Sequence, residues 1–412
     1  MEEWYEFSNS GRSVRRIVRV PHGGKVDTTL RLDAKGDADQ DPRAAFDGAF
    51  LRRSRPPHSW TRGASTIKVA DLFCGCGGLS LGAREACAAA GRQFAPVLAL
   101  DNDLDSLQVY TRNLGCANTV HDDAMNVVDG ELNERLTDRE RAFVGKLEGI
   151  DILLAGPPCQ GHSDLNNYTR RSDPRNALYE RVARVAELTR PTHILIENVP
   201  MVVHGDEGTV HRAIEVLQRL GYEVDSGIVD VAEIGVPQRR KRHLVTASLC
   251  RTFSIEEVMG RHRVREPRHV MWAVGDLESE EPNGIFTQPS RLSQENVERV
   301  AYLHDNNLYD LPNYLRPKCH SDGNHSYKSM YGRLRPYECA QTITSGFGSP
   351  GQGRFVHPTQ RRVITPHEAA RLQFFPDFFD FSSVEKRTSL ATMIGNAAPM
   401  KLSYVFCLEF LS

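Results

Sequence analysis

From residue 66 onward the chain alternates between short, unbroken apolar runs and longer stretches with helical spacing. Ile67 to Phe73 is rich in strand formers and stops at a glycine cluster. Pro96 to Leu100 ends in Asp101, Ile150 to Ala155 ends at Gly156-Pro157-Pro158, and His193 to Ile196 ends in Glu197. Continuous apolar runs closed by Gly, Pro or an acid predict buried parallel strands. Between them, Asp173-Pro174 makes an N-cap and first-turn pair. Leu178, Val182, Val185 and Ala186 then fall on one helical face, and Thr209 to Leu220 reads as a helix stopped by Gly221. Strands alternating with such helices predict an α/β, doubly wound sheet, whose functional residues gather at the carboxyl ends of strands. The rhythm breaks after Val245. Residues 249–330 are polar and rich in His, Asn, Arg and Pro, which predicts a second, smaller domain. Thr365-Pro366-His367-Glu368 is a capping box with proline in the first turn, and a last helix is expected from about Ala397 to Leu411.

Residues 1–65 break the pattern differently. Arg12, Arg15, Arg16 and Arg19 form one basic cluster, and Arg52, Arg53, Arg55 and Arg62 another, with an acidic stretch from Asp33 to Asp41 between. This predicts a surface arm or partly disordered linker; a basic arm that touches DNA phosphates is the sharper alternative.

Composition changes the picture little. The chain of 412 residues is 40% hydrophobic and 25% charged, ordinary for a soluble globular enzyme. A net charge of -2 neither demands nor excludes a nucleic-acid partner, because clustering matters more than the total. The nine cysteines are odd in number and irregular in spacing, and Met1-Glu2-Glu3-Trp4 is acidic and polar. Free thiols in a reducing cytoplasm, no secretory leader and no membrane span are the expectation.

The candidate chemistry sits at the predicted strand ends. Asp71 to Ser80 reads G-x-G-x-x-S after a strand and before a helix, an incomplete dinucleotide fingerprint. It serves as a plain tight turn or as a cradle for a nucleoside without a pyrophosphate, with Asp101 at the next strand end to accept from ribose hydroxyls. Cys159 follows two stiffening prolines in Gly156-Pro157-Pro158-Cys159-Gln160-Gly161-His162-Ser163. A cysteine in a rigid polar loop near helix N-termini favours the thiolate, whereas a lone cysteine elsewhere is most often a small buried hydrophobe. Glu197 on the sheet lip is either a solvated carboxylate or a group for a heterocycle edge. In Gln238-Arg239-Arg240-Lys241-Arg242 an extended backbone would point Gln238, Arg240 and Arg242 the same way. Cys74 with Cys76, and Cys319, His320, His325 and Cys339, lack finger-like spacing, so no metal is expected.

In order, these segments resemble the cytosine-C5 DNA methyltransferase family. They are DLFCGCGGLSLG at 71–82, GPPCQGHS at 156–163, ENVP at 197–200, QRRKR at 238–242, Thr342-Ile343-Thr344, ITPHEAARLQFFPD at 364–377, and Gly395-Asn396-Ala397-Ala398-Pro399. The resemblance covers about residues 67–411. It implies a doubly wound, Rossmann-like, S-adenosylmethionine-dependent methyltransferase sheet with a smaller target-recognition domain. The implied division is an N-terminal extension at 1–65, a catalytic and cofactor-binding domain at 66–248, a target-recognition segment at 249–330, and a return to the catalytic domain at 331–412. Asp71, Phe73, Gly75, Gly77, Gly78 and Leu79 would surround S-adenosylmethionine, with Asp101 and Asn102 at the ribose, Asp123 at the adenine amino group and Asn396 closing the pocket. Cys159 would be the nucleophile, Glu197 would bind the cytosine edge, Arg240 would hold the base and orient the cysteine loop, and Arg242 would be a second arginine there. Double-stranded DNA is the implied partner, with a cognate restriction or defence-system nuclease beside it. A monomer working in a bacterial cytoplasm, at the nucleoid, is expected. The chain departs from the family at His162, where Phe is usual, and at Ala155, where Gly is frequent. A tRNA cytosine-C5 methyltransferase and a catalytically silent DNA-binding relative are the alternatives.

Overall fold

The computed structural model describes residues 1–21, 24–32, 41–56, 64–147, 149–158, 178–204, 208–321 and 329–412. Strands β1 (Glu2–Phe7), β2 (Ser13–Arg19) and β3 (Lys25–Arg31) precede helix α1 (Pro42–Leu51). The next units are β4 (Thr66–Leu72), α2 (Gly78–Ala89), β5 (Gln93–Asp101), α3 (Leu104–Leu114), β6 (Thr119–His121), α4 (Ala124–Val127), α5 (Asp138–Val144) and β7 (Ile152–Ala155). Then come α6 (Leu178–Thr189), β8 (His193–Asn198), α7 (Thr209–Arg219), β9 (Glu223–Asp230), β10 (Gln238–Arg239) and β11 (Lys241–Ser248). The last part holds α8 (Ile255–Arg261), α9 (Val270–Val274), α10 (Gly284–Thr287), α11 (Gln294–Asp305), α12 (Lys318–Ser321), β12 (Ala340–Gln341), α13 (Pro366–Leu372), α14 (Arg387–Asn396) and α15 (Met400–Phe410).

The central sheet has seven strands in the order β6-β5-β4-β7-β8-β11-β9. The first five run parallel, and β11 is antiparallel to both β8 and β9. The fold class is therefore the doubly wound α/β class expected. Strand β7 shows why its run is unbroken. Ile152 and Leu154 join the core under α2 and α15, while Leu153 and Ala155 join the core under α6 and α7. Both faces are covered, so both need apolar residues. On the first face, α2 and α15 approach very closely. A Cβ on Gly82 would stand 2.1 Å from the Met400 carbonyl oxygen, and one on Gly78 would stand 2.4 Å from that of Ala398.

Two expectations about domains are corrected. The described residues of 1–56 do not form a loose arm: β1, β2 and β3 make an antiparallel sheet that, with α1, packs into the main core, while residues 33–40 and 57–63 of the expected arm lie outside the described residues. Val14, Val18, Leu30, Phe46, Phe50 and Leu51 are buried there, each worth about 1.5–3 kcal/mol if burial is complete. The basic clusters misled because Arg16 is itself buried, paired to Glu85 at 2.8 Å and lying 4.9 Å from the Phe46 ring. The second correction concerns residue 249. Phe253, Ile255, Val258, Val270, Val274 and Leu277 belong to the main core. The small unit with a core of its own begins later, on Val300, Leu303, Leu311, Tyr331 and Val356, flanked by Leu292 and Leu315. The N-cap pair Asp173-Pro174 lies outside the described residues.

Candidate active site

The parallel strands end level with one another. Leu72 pairs with Ala155, and Ala155 with Ile196. The next residues, Phe73, Gly156 and Glu197, therefore emerge side by side on the carboxyl edge. A Cβ on Gly156 would lie 3.8 Å from Glu197 Oε2, 3.8 Å from the Phe73 carbonyl oxygen and 3.9 Å from Leu79 Cδ1. The glycine-rich loop, the glutamate and the start of the cysteine loop thus meet at one point.

The glycine-rich loop is set by the backbone. Phe73 has φ 56°, left-handed and costly for an aromatic residue, which marks a position held by its surroundings. The Cys74 N–H donates to the Leu100 carbonyl at 3.1 Å, and the Gly75 N–H donates to Asp101 Oδ2 at 2.8 Å. Gly77 has φ 96°, and a Cβ there would meet Leu114 at 2.6 Å and Tyr110 at 2.9 Å, so glycine is required. No described residue lies within 4 Å of the Cβ position of Gly75, so among the described residues the outer face of the loop is open to a ligand. Beneath the loop Asp71 is fully buried. Ser80 Oγ donates to its Oδ2 at 2.6 Å, Tyr110 donates to Ser80 at 2.8 Å, and Asp71 Oδ1 has no partner among the described residues. Burial pushes this carboxyl up to about 7, with the Asp101 charge acting in the same direction.

Three further cofactor candidates ring this loop. The Asp122 N–H donates to the Asp101 carbonyl at 3.2 Å, which brings Asp123 beside the end of β5. Asp123 is exposed and caps α4 through the Met125 N–H, and Asn102 is exposed next to Asp101. Asn396 is exposed at the end of α14, two residues before the Ala398 carbonyl that abuts Gly78. Asp101, Asp103 and Asp123 give this rim an acidic character that repels a pyrophosphate and suits a cationic nucleoside.

At the other half of the site, Glu197 pairs with Arg242 Nε at 2.5 Å, each side chain about 10% exposed. Asn198 Nδ2 donates to the Pro157 carbonyl at 3.1 Å, anchoring the start of the cysteine loop from the neighbouring strand. Sequence reasoning passed over Asn198; its place beside a strand-end glutamate was the available signal. Gln238, Arg240 and Arg242 are all buried and Arg239 and Lys241 exposed, as alternation requires. Among the described residues the partners of Arg240 are backbone groups. Its guanidinium donates to the carbonyls of Ile343 at 2.8 Å, Gly395 at 3.1 Å and Ala397 at 3.3 Å. Gln238 assists, accepting from the Ile343 N–H at 3.0 Å and donating to Gln373. Arg240 is thus a clasp between the β10–β11 turn and the chain's last motifs, and Arg242 is the arginine at the glutamate.

Cys159 and His162, with Gln160, Gly161 and Ser163, lie outside the described residues. So do His325 and the side chains of Cys319 and His320. The described cysteines are all free, and burial raises the thiols of Cys74, Cys87 and Cys407 and takes Cys76 to about 12. None of these four is primed as a nucleophile at neutral pH. Among the described residues no group of three or more His, Cys, Asp or Glu is arranged to hold a metal. No helix there is long and apolar enough to cross a membrane.

Comparison with known proteins gives a consistent result. The family model for the C-5 cytosine-specific DNA methylase matches residues 67–408. The chain is 42% identical to the Type II methyltransferase M1.BsuMI of Bacillus subtilis (strain 168) over 398 residues, covering 97% of this chain and 92% of that protein. So high a coverage leaves too little unaligned to omit residues 1–66, so the N-terminal module is shared with that relative. The Type II methylase M.HgiDII of Herpetosiphon aurantiacus is 31% identical, over 82% of this chain and 93% of its own. Among solved structures, the S. pombe Dnmt2 methyltransferase superposes with a TM-score of 0.58 at 19% identity, over 84% of this chain and 98% of its own, a likeness of fold.

Proposed function

The chain belongs to the C-5 cytosine-specific DNA methylase family, and on that footing we propose how its own residues carry the reaction. It is a DNA cytosine-C5 methyltransferase of the kind found in restriction–modification systems. The donor we infer is S-adenosylmethionine, bound on the open face of the 73–79 loop. Asp101 and Asn102 would take its ribose hydroxyls, Asp123 its adenine, and Asn396 would close the pocket from α14. The acidic rim and the free face of Gly75 support this fit. The bound donor supplies an electrophilic methyl group.

Cytosine C5 is too weak a nucleophile to take that methyl unaided. In our reading the Cys159 thiolate adds to C6, which makes C5 enamine-like. C5 takes the methyl, loses its proton to a base, and expulsion of the thiolate restores the ring. Glu197 would bind N3 and the exocyclic amine and favour protonation at N3 as C6 is attacked. Arg242, already paired to that carboxylate, would hold it in place and reach the base edge. Asn198 fixes the entry of the cysteine loop through Pro157. The target carbon is stacked within a duplex, so the base must flip out, at a cost of a few kcal/mol. The observation that carries this reading is the meeting of Phe73, Leu79 and Glu197 around Gly156, three residues before Cys159.

Duplex DNA is the proposed substrate form. A cognate nuclease, a monomeric state and action in a bacterial cytoplasm at the nucleoid complete the proposal. Labelled donor offered in parallel to duplex DNA and to tRNA tests the substrate. Label is expected in duplex cytosine; label in tRNA alone would overturn the reading, and label in neither would favour a silent DNA-binding relative.

A further inference from the structure

The N-terminal module lies outside the family match, and its helix α1 touches two parts of the molecule at once. One side of α1 holds the catalytic domain. Phe50 stacks on Phe374 with ring centres 6.4 Å apart and meets Phe378 edge-on at 6.1 Å. The Asp377 N–H donates to the Leu51 carbonyl at 2.8 Å, and buried Asp47 pairs with buried Lys401 on α15. The ends of α1 also hold the stretch 268–276, part of the main core that precedes the small unit in the chain. Arg52 donates to the Trp272 carbonyl at 2.9 Å and pairs with Asp276 at 3.3 Å. Asp41, the N-cap of α1, pairs with Arg268 at 2.8 Å, and that arginine is nearly buried.

The contacts continue toward the active site. The Val270 and Met271 N–H groups donate to the carbonyls of Glu338 and Pro336 at 2.9 and 3.0 Å. The segment they hold runs into β12, which pairs with β10 at Gln238 and Arg239. Arg239 in this pairing and Tyr337 just before it are both exposed. Beyond Ser279 the chain packs Ile285 and Phe286 of α10 on the main core and reaches the small unit at Leu292.

We propose that α1 is a strut that sets the position of the recognition unit and the 335–341 segment against the catalytic sheet, so that a bound duplex presents its cytosine to the site. This rests on the reading of the small unit as the DNA-recognising part. Arg52 and Arg268 are positioning residues: they act through α9 and the 336–338 backbone and touch neither donor nor DNA.

The test uses the full chain with Arg52→Met and Arg268→Met together, and the matched Arg52→Lys and Arg268→Lys pair. Three quantities are read: affinity for the demethylated donor product without DNA, KM and kcat on duplex DNA, and hydrogen exchange by segment. The methionine pair is expected to raise the KM for DNA about tenfold, equivalent to about 1.4 kcal/mol. Product affinity should stay within about twofold, since the contacts of Arg52 and Arg268 given above are with Asp41, Trp272 and Asp276 and not with the 73–79 loop. Exchange should quicken in 268–279 and 335–341 but not in 66–89, and the lysine pair should recover at least part of the KM. A KM unchanged by the methionine pair overturns the strut. If exchange at 268–279 still quickens, the reading of the small unit has failed; if it does not, α1 bears no load there. A fall in product affinity parallel to the rise in KM also overturns it, because the pair would then serve general stability alone.

Discussion

At the residue scale, two arginines two positions apart have different described partners. Arg242 pairs with Glu197, and Arg240 holds three backbone carbonyls. Glu197→Gln should lower the single-turnover methylation rate about 10²–10³-fold, the scale for losing one group that stabilises charge in the transition state, with DNA affinity changed little. Arg242→Met should lower the rate too, and should cost about 3–5 kcal/mol of stability because the glutamate stays buried without its partner. Arg240→Met should lose stability by urea unfolding, about 1–3 kcal/mol for each carbonyl left unpaired. A full-strength Glu197→Gln enzyme would contradict these assignments. The sequence carries the period that turns Gln238, Arg240 and Arg242 inward; it does not carry their partners, because Glu197 and Gly395 lie far off along the chain on different elements. A second residue-scale prediction concerns acid. Glu368 caps α13 and is buried; burial alone would raise its carboxyl, but Arg362 and His357 hold it down at about 2, below the ordinary 4.5. A depressed carboxyl stabilises the fold above about pH 4.5, and that stability is lost as pH falls toward about 2. Glu368→Gln should therefore flatten the fall of the urea midpoint across that window; an acid limb as steep as that of the parent chain would count against it.

At the element scale, the strands bearing the site were readable and those of the N-terminal module were not. β4, β7 and β8 are covered on both faces, which leaves continuous apolar runs bounded by glycine or acid. β2 reads Ser-Val-Arg-Arg-Ile-Val-Arg, and its inward Arg16 looks solvated until Glu85 is known to lie against it. A signal was nevertheless there: Asp41-Pro42 followed by Ala44, Ala45, Phe46, Phe50 and Leu51 is an N-cap, a first-turn proline and an apolar face. Glycine meaning is likewise set by packing between distant elements. A Cβ on Gly82 would meet backbone on α15, and one on Gly395 would lie 2.3 Å from the Ser345 nitrogen. Gly82→Ala and Gly395→Ala should each cost about 1–3 kcal/mol or more in urea unfolding, since backbone must move to admit the methyl. Near-parent stability in both would show that these contacts are looser than described.

At the scale of the whole molecule, the order of motifs along the chain gave the family and the sheet gave the reason for that order. The motifs at 71–82 and 197–200 end parallel strands, and 238–242 opens the antiparallel β11 beside the end of β8, so motifs far apart in the chain meet on one edge. What the order could not carry is the role of β1–β3 and α1, which complete the main core instead of hanging from it. A chain begun at residue 66 should lose cooperative unfolding and soluble yield; a truncated form with the parent's melting temperature would contradict that account. In the proposed reaction Cys159 attacks C6 of a flipped cytosine held by Glu197. Its most direct test is incubation of the full chain with donor and duplex DNA carrying 5-fluorocytosine at the methylated site, where the fluorine blocks release of the enzyme. The account predicts a denaturant-stable protein–DNA adduct that needs the donor, maps by peptide mass to Cys159 and vanishes in Cys159→Ser. Active methylation of ordinary DNA with no such adduct, or an adduct on another cysteine, would contradict it.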